Sequence, residues 1–545
     1  MRARPVTLFT GMRAYTLDRE RPVVEALVVA GEWILAAGSA GELAAAFPWA
    51  RRIDLGGRTV LPGLTDSHVH LLAYGLQLRR LDLRETRSLA AAVRMVAAAA
   101  DAAPPGSWVL GGGWDRNRWT EGRWPTRDDL DPISAGRPVA LASRDGHLLW
   151  VNSAALARAG IGPETPDPPG GVIVRDAAGR PTGLLKEQAR IAVQAAADRP
   201  DPAALREALQ EATAAAHRLG LVGAHSMVRD GPWPEALATL QEARRDGTLR
   251  LRVWITIPLD HLERAAALGM RTGLGDHWLR VGGVKIYADG TLGSQTASML
   301  EPFEGQPGNT GIAVHSTEAL QELVGRAVAA GLWPTVHAIG DRANREVLDV
   351  FAAHHEAACR SGVRFRLEHV QLLHPADLPR LAALGVVASM QPIHCTSDRD
   401  IADHYWGARS RTAYAWRSLR QHGTVLAFGS DAPGETLDPW QGLYAAVTRR
   451  RPDDPRPPWH PEEALSVEEA LRAYTVGAAY ASGEEASKGT LTPGRLADFI
   501  VVDRDVPEEA AADPLALLDT RVLATVVGGT PVYATGPLAG LGPDA

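Results

Sequence analysis

The chain has 545 residues, 45% of them hydrophobic and 22% charged, with a net charge of −7 and a pI of about 6.2. That length holds one large barrel plus a second domain, or three small domains. The mildly acidic balance gives no footing for nucleic acid or an anionic membrane, and no run approaches the roughly 20 apolar residues of a membrane span.

Residues 1–10 lack the apolar run of a signal peptide, and Cys359 and Cys395 make no disulfide framework. A reduced, cytoplasmic compartment is therefore expected. The first 60 residues read as short strands broken by turns, at 5–10, 24–29, 33–37 and 51–55. The C-terminal stretch reads likewise, at 499–503, 521–528 and 530–533. Two β-rich ends around a long α/β middle suggest one small β-domain built from both termini, 1–60 with 486–545.

The middle, 61–485, alternates short apolar runs with Ala/Leu/Arg-rich helical stretches, the pattern of βα units around a parallel sheet. Eight candidate strands stand at 59–66, 221–226, 251–257, 281–287, 332–337, 364–370, 385–391 and 424–430. Eight is the number of a (β/α)8 TIM barrel; a six-strand open sheet with extra elements is the alternative. The gap between the first two strands is too long for one crossover. Residues 77–200, rich in Trp, Pro and Gly, read as an insertion that folds against the barrel mouth.

The chemistry begins at Leu61-Pro-Gly-Leu-Thr-Asp-Ser-His-Val-His70. Residues i and i+2 of a strand share a face, so His68 and His70 can reach one metal ion. Alone, the pair could be two surface histidines; its place at the C-terminal end of a barrel strand favours a site. Lys285 lies inside the apolar strand Gly282-Gly-Val-Lys-Ile-Tyr-Ala-Asp289. Only three of the 57 basic residues are lysines, at 186, 285 and 488, so this one does something arginine cannot, or survives by chance. A buried amine can react with CO2 to a carbamate that bridges two metals; the bland reading is a buried Lys285–Asp289 pair. His337 and His369 each end a later candidate strand, and Asp431 closes the last one in Gly429-Ser-Asp-Ala-Pro433. Either histidine alone reads as a satisfied buried ring, and Asp431 as a helix N-cap. Together they make four histidines and a carboxylate at successive strand ends, and the carboxylate can both bind metal and take a proton from water.

The order His-X-His, Lys, His, His, Asp resembles the amidohydrolase superfamily, and the surrounding words resemble its YtcJ-like branch. Those words include Val284-Lys-Ile-Tyr-Ala-Asp-Gly-Thr-Leu-Gly-Ser294, His337-Ala-Ile-Gly-Asp-Arg-Ala343, Leu367-Glu-His369, Gly111-Gly-Gly-Trp-Asp115, Arg144-Asp-Gly-His147 with Asn152-Ser-Ala-Ala-Leu156, and Gly489-Thr-Leu-Thr-Pro-Gly-Arg-Leu-Ala-Asp498. The match runs over essentially the whole chain. The branch includes N-substituted formamide deformylases.

The resemblance implies a barrel with a composite β-sandwich and an inserted cap. It also implies one or two divalent metals, zinc first. His68, His70 and Asp431 would hold the more buried ion, and His337 and His369 the second, with carbamylated Lys285 between them. A metal-bound hydroxide would then attack a small-molecule amide, an N-acyl or N-formyl amine first, with Asp431 moving the proton. An ester, lactone, cyclic imide or carbamate would suit the same site. A binding protein on a dead fold would show lost ligands, and none is lost. Motif match alone offers His147, Trp114 and Asn152 as substrate contacts. Asp289, Asp341 and Glu368 are expected to support the ligands, and the resemblance admits a homodimer. One departure stands at strand two, where many relatives carry His-Asp and this chain has His225-Ser226.

Overall fold

The computed structural model of the chain describes residues 6–143, 148–168, 171–197, 201–228, 233–293 and 295–541. Two compact units share the chain. One comprises Met1–Tyr74 with Leu209–Ala545; the other is Gly75–Ala208.

The first unit holds an eight-stranded parallel barrel sheet. Its strands, in chain order and in spatial order, are β1 (Leu64–Val69), β2 (Leu221–Ser226), β3 (Arg252–Pro258), β4 (Leu279–Tyr287), β5 (Pro334–Ala338), β6 (Arg366–His369), β7 (Val387–Met390) and β8 (Val425–Phe428). Seven of the eight predicted strands coincide with barrel strands, and the first does so in part. Helices cover the outer face, so strands such as Val387–Met390 are buried at every residue, which is why they read as unbroken apolar runs.

The predicted first strand, 59–66, needs correction. It straddles two elements: the β-domain strand Arg51–Pro62 and barrel strand β1. Pro62 cannot donate a ladder hydrogen bond, and Gly63 instead donates to the Asp498 carbonyl at 3.0 Å. A Cβ on Gly63 would stand 2.4 Å from Val222 Cγ1, so the chain can turn into the barrel here only without a side chain.

Both termini build one eight-stranded sheet. Thr530–Ala534, Val522–Val527, Phe499–Val502, Arg51–Pro62, Val6–Tyr15, Ala26–Ala30 and Trp33–Gly38 follow one another across it, with Val23–Val24 beside Val6–Tyr15. Phe9, Leu27, Phe499 and Val526 fill its core. Arg252 of β3 ties barrel to sheet through a two-pronged pair with Asp498 at 2.6 and 2.8 Å, which satisfies a guanidinium that is almost fully buried.

His217, on the helix Pro202–Arg218, lies buried in this unit and donates from Nε2 to the Arg250 carbonyl at 3.1 Å. Burial lowers its pKa from 6.5 to about 4. The folded chain keeps this ring neutral while the unfolded chain protonates it near 6.5. Its contribution to stability is therefore complete above that pH and is lost as pH falls toward about 4. His217→Gln, which keeps a donor but does not titrate, is expected to flatten the fall of Tm between pH 7 and 4.5. Superimposable Tm–pH curves for the two proteins would refute this.

The second unit carries its own six-stranded sheet and a core in which Trp114, Trp119 and Trp150 pack ring against ring at 5.8 to 6.2 Å. Among the described residues no helix is long and apolar enough to cross a membrane.

Candidate metal centre

The C-terminal ends of the barrel strands bring the predicted residues together. His68 is the penultimate residue of β1, and His70 is the first residue beyond it. Their Nε2 atoms lie 3.5 and 3.2 Å from Asp431 Oδ1, just past β8. The His369 ring, at the end of β6, stands 4.7 Å from His68 and 4.6 Å from His337 of β5. Lys285 is buried on β4, with Nζ 4.9 Å from the Tyr287 ring centre, and lines the same cavity of about 280 Å3. His369 and Asp431 have φ of 73° and 59°. Such left-handed backbone costs of order 1–3 kcal/mol per residue and collects at sites where it turns a side chain to a task.

A profile of the amidohydrolase family matches residues 51–533. The chain belongs to the amidohydrolase family. Protein LONG AFTER FAR-RED 3 of Arabidopsis thaliana is 34% identical over 96% of this chain and 91% of its own. YtcJ of Bacillus subtilis is 34% identical over 95% and 98%. N-substituted formamide deformylase of Arthrobacter pascens is 29% identical over 95% and 96%. Among solved structures, an uncharacterized metal-dependent hydrolase from Pyrococcus furiosus is 31% identical, with a TM-score of 0.77 over 92% of this chain and 100% of that one.

Hydrogen bonds set which nitrogen of each histidine carries the proton in this amidohydrolase. His68 Nδ1 faces Glu368 Oε2 at 2.5 Å, His70 Nδ1 the Met227 carbonyl at 2.9 Å, and His369 Nδ1 the Gln391 Oε1 at 2.7 Å. Each partner can only accept, so each Nδ1 donates and each Nε2 keeps its lone pair. His337 is reversed: its Nε2 donates to the Gly290 carbonyl at 2.9 Å, leaving Nδ1 bare. Ligand atoms of His68, His70 and Asp431 lie within 4.8 Å of one another, the spacing one ion can span. Imidazole lone pairs beside a carboxylate are the donor set of a divalent metal of the zinc class, so the residues fit such an ion.

The charges agree. Burial, reinforced by the nearby Lys285 charge, lowers His337 to about 3; burial also takes His68 to about 4 against the pull of Glu368. Both rings are neutral at pH 7, as a ligand must be. Burial alone would raise the Asp431 pKa, but the imidazoles of His70, His68, His369 and His394 around it outweigh burial and hold the carboxylate well below its usual range.

The supporting residues divide. Glu368 pairs with a predicted ligand, but it is His68 across the barrel and not its sequence neighbour His369. Its other oxygen accepts from Arg366 Nε, and Arg366 also donates to His225 Nδ1 at 2.8 Å and to Ser389 Oγ at 2.9 Å. His225, beside the Ser226 departure, is thus a buried partner of Arg366. Asp289 accepts from the backbone amides of Ser298, Ile339 and Gly340 at 2.8–3.0 Å and lies 3.5 Å from His337 Nε2. Burial pushes its pKa up to about 7 despite those amides.

Four predicted residues need correction or lie outside the described residues. Asp341 accepts from the Leu300 amide at 2.8 Å, which anchors a loop and holds no histidine. Trp114 and Asn152 were expected as pocket contacts, but both are consumed by the fold of the second unit. Trp114 is 1% exposed and donates to the Leu141 carbonyl. Asn152 caps the helix Ser153–Arg158 and bonds Val139, Ser134 and Arg137. His147 lies outside the described residues.

Two residues were missed. Asp66 clasps the barrel: its buried Oδ1 accepts from His68 N and Ser430 N, both at 3.0 Å, joining β1 to the turn after β8. The Asp431 amide to His68 carbonyl bond at 2.7 Å and the His70 amide to Ala432 carbonyl bond at 2.8 Å finish the seam. A Cβ on Gly429 would meet His68 N at 2.4 Å and Asp66 Oδ1 at 2.7 Å, inside contact distance. Gly429→Ala is therefore expected to open this seam, at a cost of about 1–3 kcal/mol, and to lower metal content. Wild-type Tm and metal content in that variant would contradict the packing argument. His394 is the other: it enters the cavity from the helix Pro392–Trp406, three residues past the predicted end of strand seven in Gln391-Pro-Ile-His394. That strand end was the signal available.

Proposed function

We propose that the chain hydrolyses a C–N bond of amide type other than a peptide bond, an N-formyl or N-acyl amine first, with one or two zinc-class ions per chain. The convergence of bare histidine nitrogens and the Asp431 carboxylate at one barrel mouth carries this reading. The similarity to a formamide deformylase supports the bond type. When bound, a divalent ion polarises a carbonyl and brings the pKa of water to about 7. His68, His70 and Asp431 would hold one ion, and His337 and His369 would hold a second together with Lys285, once its amine is carbamylated. Asp431, ionised and reachable from the cavity, takes a proton from the attacking water and passes it to the leaving nitrogen.

The test is metal content by elemental analysis of wild type and Lys285→Ala, followed by a panel of N-formyl and N-acyl amines. About one to two equivalents in wild type, fewer in Lys285→Ala, and turnover of panel members are expected. A wild type that stays metal-free after reconstitution with zinc, manganese and iron in bicarbonate, or a loaded protein inert on every amide, would end this reading.

A further inference from the structure

We propose that His394 is a substrate-touching residue of this site: an imidazole whose Nε2–H binds the carbonyl or carboxyl oxygen of the substrate, and not a metal ligand. The inference rests on the reading of the site as an amide hydrolase and names how the acyl group is held.

Distance alone would admit His394 as a ligand. Its ring stacks on His369 at 6.0 Å and 11°, and ligand atoms of His369, His394 and Asp431 lie within 4.8 Å of one another. Hydrogen bonding decides otherwise. Gln371 Nε2 faces His394 Nδ1 at 3.2 Å. The Gln371 side chain also faces the Asp398 carboxylate and, against burial, lowers its pKa, as a donor does, and that carboxylate accepts the Tyr414 hydroxyl at 2.6 Å on Oδ2. The amide is thus oriented with its NH2 group toward both acceptors; an oxygen in that place would face a carboxylate. Because Nδ1 accepts from Gln371, the ring N–H is the one on Nε2. The other four histidines point a lone pair into the cavity, and His394 alone of the five points an N–H.

That N–H has a poor partner in the protein itself. Nε2 is 3.6 Å from Asp431 Oδ2, beyond a good hydrogen bond, and the side chain is 14% exposed where it lines the cavity. A donor held in a fixed tautomer by a Tyr414–Asp398–Gln371 chain, beside the base and 6.0 Å from a ligand ring, is placed to hold an oxygen of the reacting group.

The test uses full-length zinc-loaded protein and formate, the acid released from an N-formyl amine, as the probe. Metal content and formate affinity by calorimetry are measured for wild type, His394→Phe and His394→Gln, the last keeping an N–H near the Nε2 position. We expect wild-type zinc in all three, formate bound about tenfold more weakly by His394→Phe, and most of that loss restored in His394→Gln. Zinc lost from both variants would make His394 a ligand and overturn the proposal. Unchanged formate affinity in His394→Phe, or no formate binding by wild type, would overturn the donor role. An inert amide panel with this formate pattern intact would instead remove the C–N reading and leave the donor standing.

Discussion

Asp431→Asn is expected to lower kcat/KM on any amide the wild type hydrolyses by about 10^2 to 10^4-fold, the range for loss of a positioned general base. The carboxylate sits at the meeting point of the site. Oδ1 is 3.2 Å from His70 and 3.5 Å from His68, while Oδ2 looks toward His394 at 3.6 Å. Its backbone is locked by the hydrogen bond to the His68 carbonyl and by a left-handed φ that asparagine also tolerates. The substitution should therefore leave the fold intact while removing both the charge and the proton acceptor. Metal content separates the two roles. An oxygen ligand survives in Asp431→Asn and none in Asp431→Ala, so zinc should fall further in the alanine variant. Wild-type turnover in Asp431→Asn would show that the proton travels by another residue.

Glu368→Gln should damage stability and metal binding together. The wild-type carboxylate serves two donors at once, Arg366 on one oxygen and His68 Nδ1 on the other, with no solvent contact. Arg366 and then His68 hold its pKa well below 4.5 against the burial that would raise it. Glutamine can accept on one side only and must turn an NH2 toward a donor on the other. Breaking a buried pair from one side costs about 3–5 kcal/mol, and loss of a histidine's supporting carboxylate weakens metal binding about 10 to 100-fold. Replacing both partners, Arg366→Leu with Glu368→Leu, should recover part of the Tm because no uncompensated buried charge remains. Zinc affinity should stay low in that double variant, since His68 still lacks its acceptor. A double variant with wild-type zinc affinity would show that Glu368 serves the fold alone.

How much of this was legible in the sequence follows from the range of each interaction. Strand periodicity is local, so eight apolar runs at βα spacing could be read directly, and each ligand at a run's end inherited its position from the barrel. The same alternation put His68 and His70 on one face. The boundary at Gly63 was misread because an apolar run continues through Pro62 into Leu64, and only the packing of Val222 shows that the chain changes sheets there. Trp114 and Asn152 were misjudged for a related reason: a residue type that suits a pocket equally suits a core, and only the ring contacts and capping bonds separate the two.

By itself the sequence determined the barrel and the order along it of the candidate metal-binding residues, because these depend on spacing along one strand. The tertiary structure decided which nitrogen of each histidine faces the cavity, that Glu368 answers to His68 rather than His369, that Asp66 clasps the first strand to the last, and that His394 enters the site. Each is a hydrogen bond or approach between groups brought together by the closing of the barrel, 300 residues apart for His68 and Glu368. A side chain's face is set by its neighbours in sequence, whereas its partner is set by the fold.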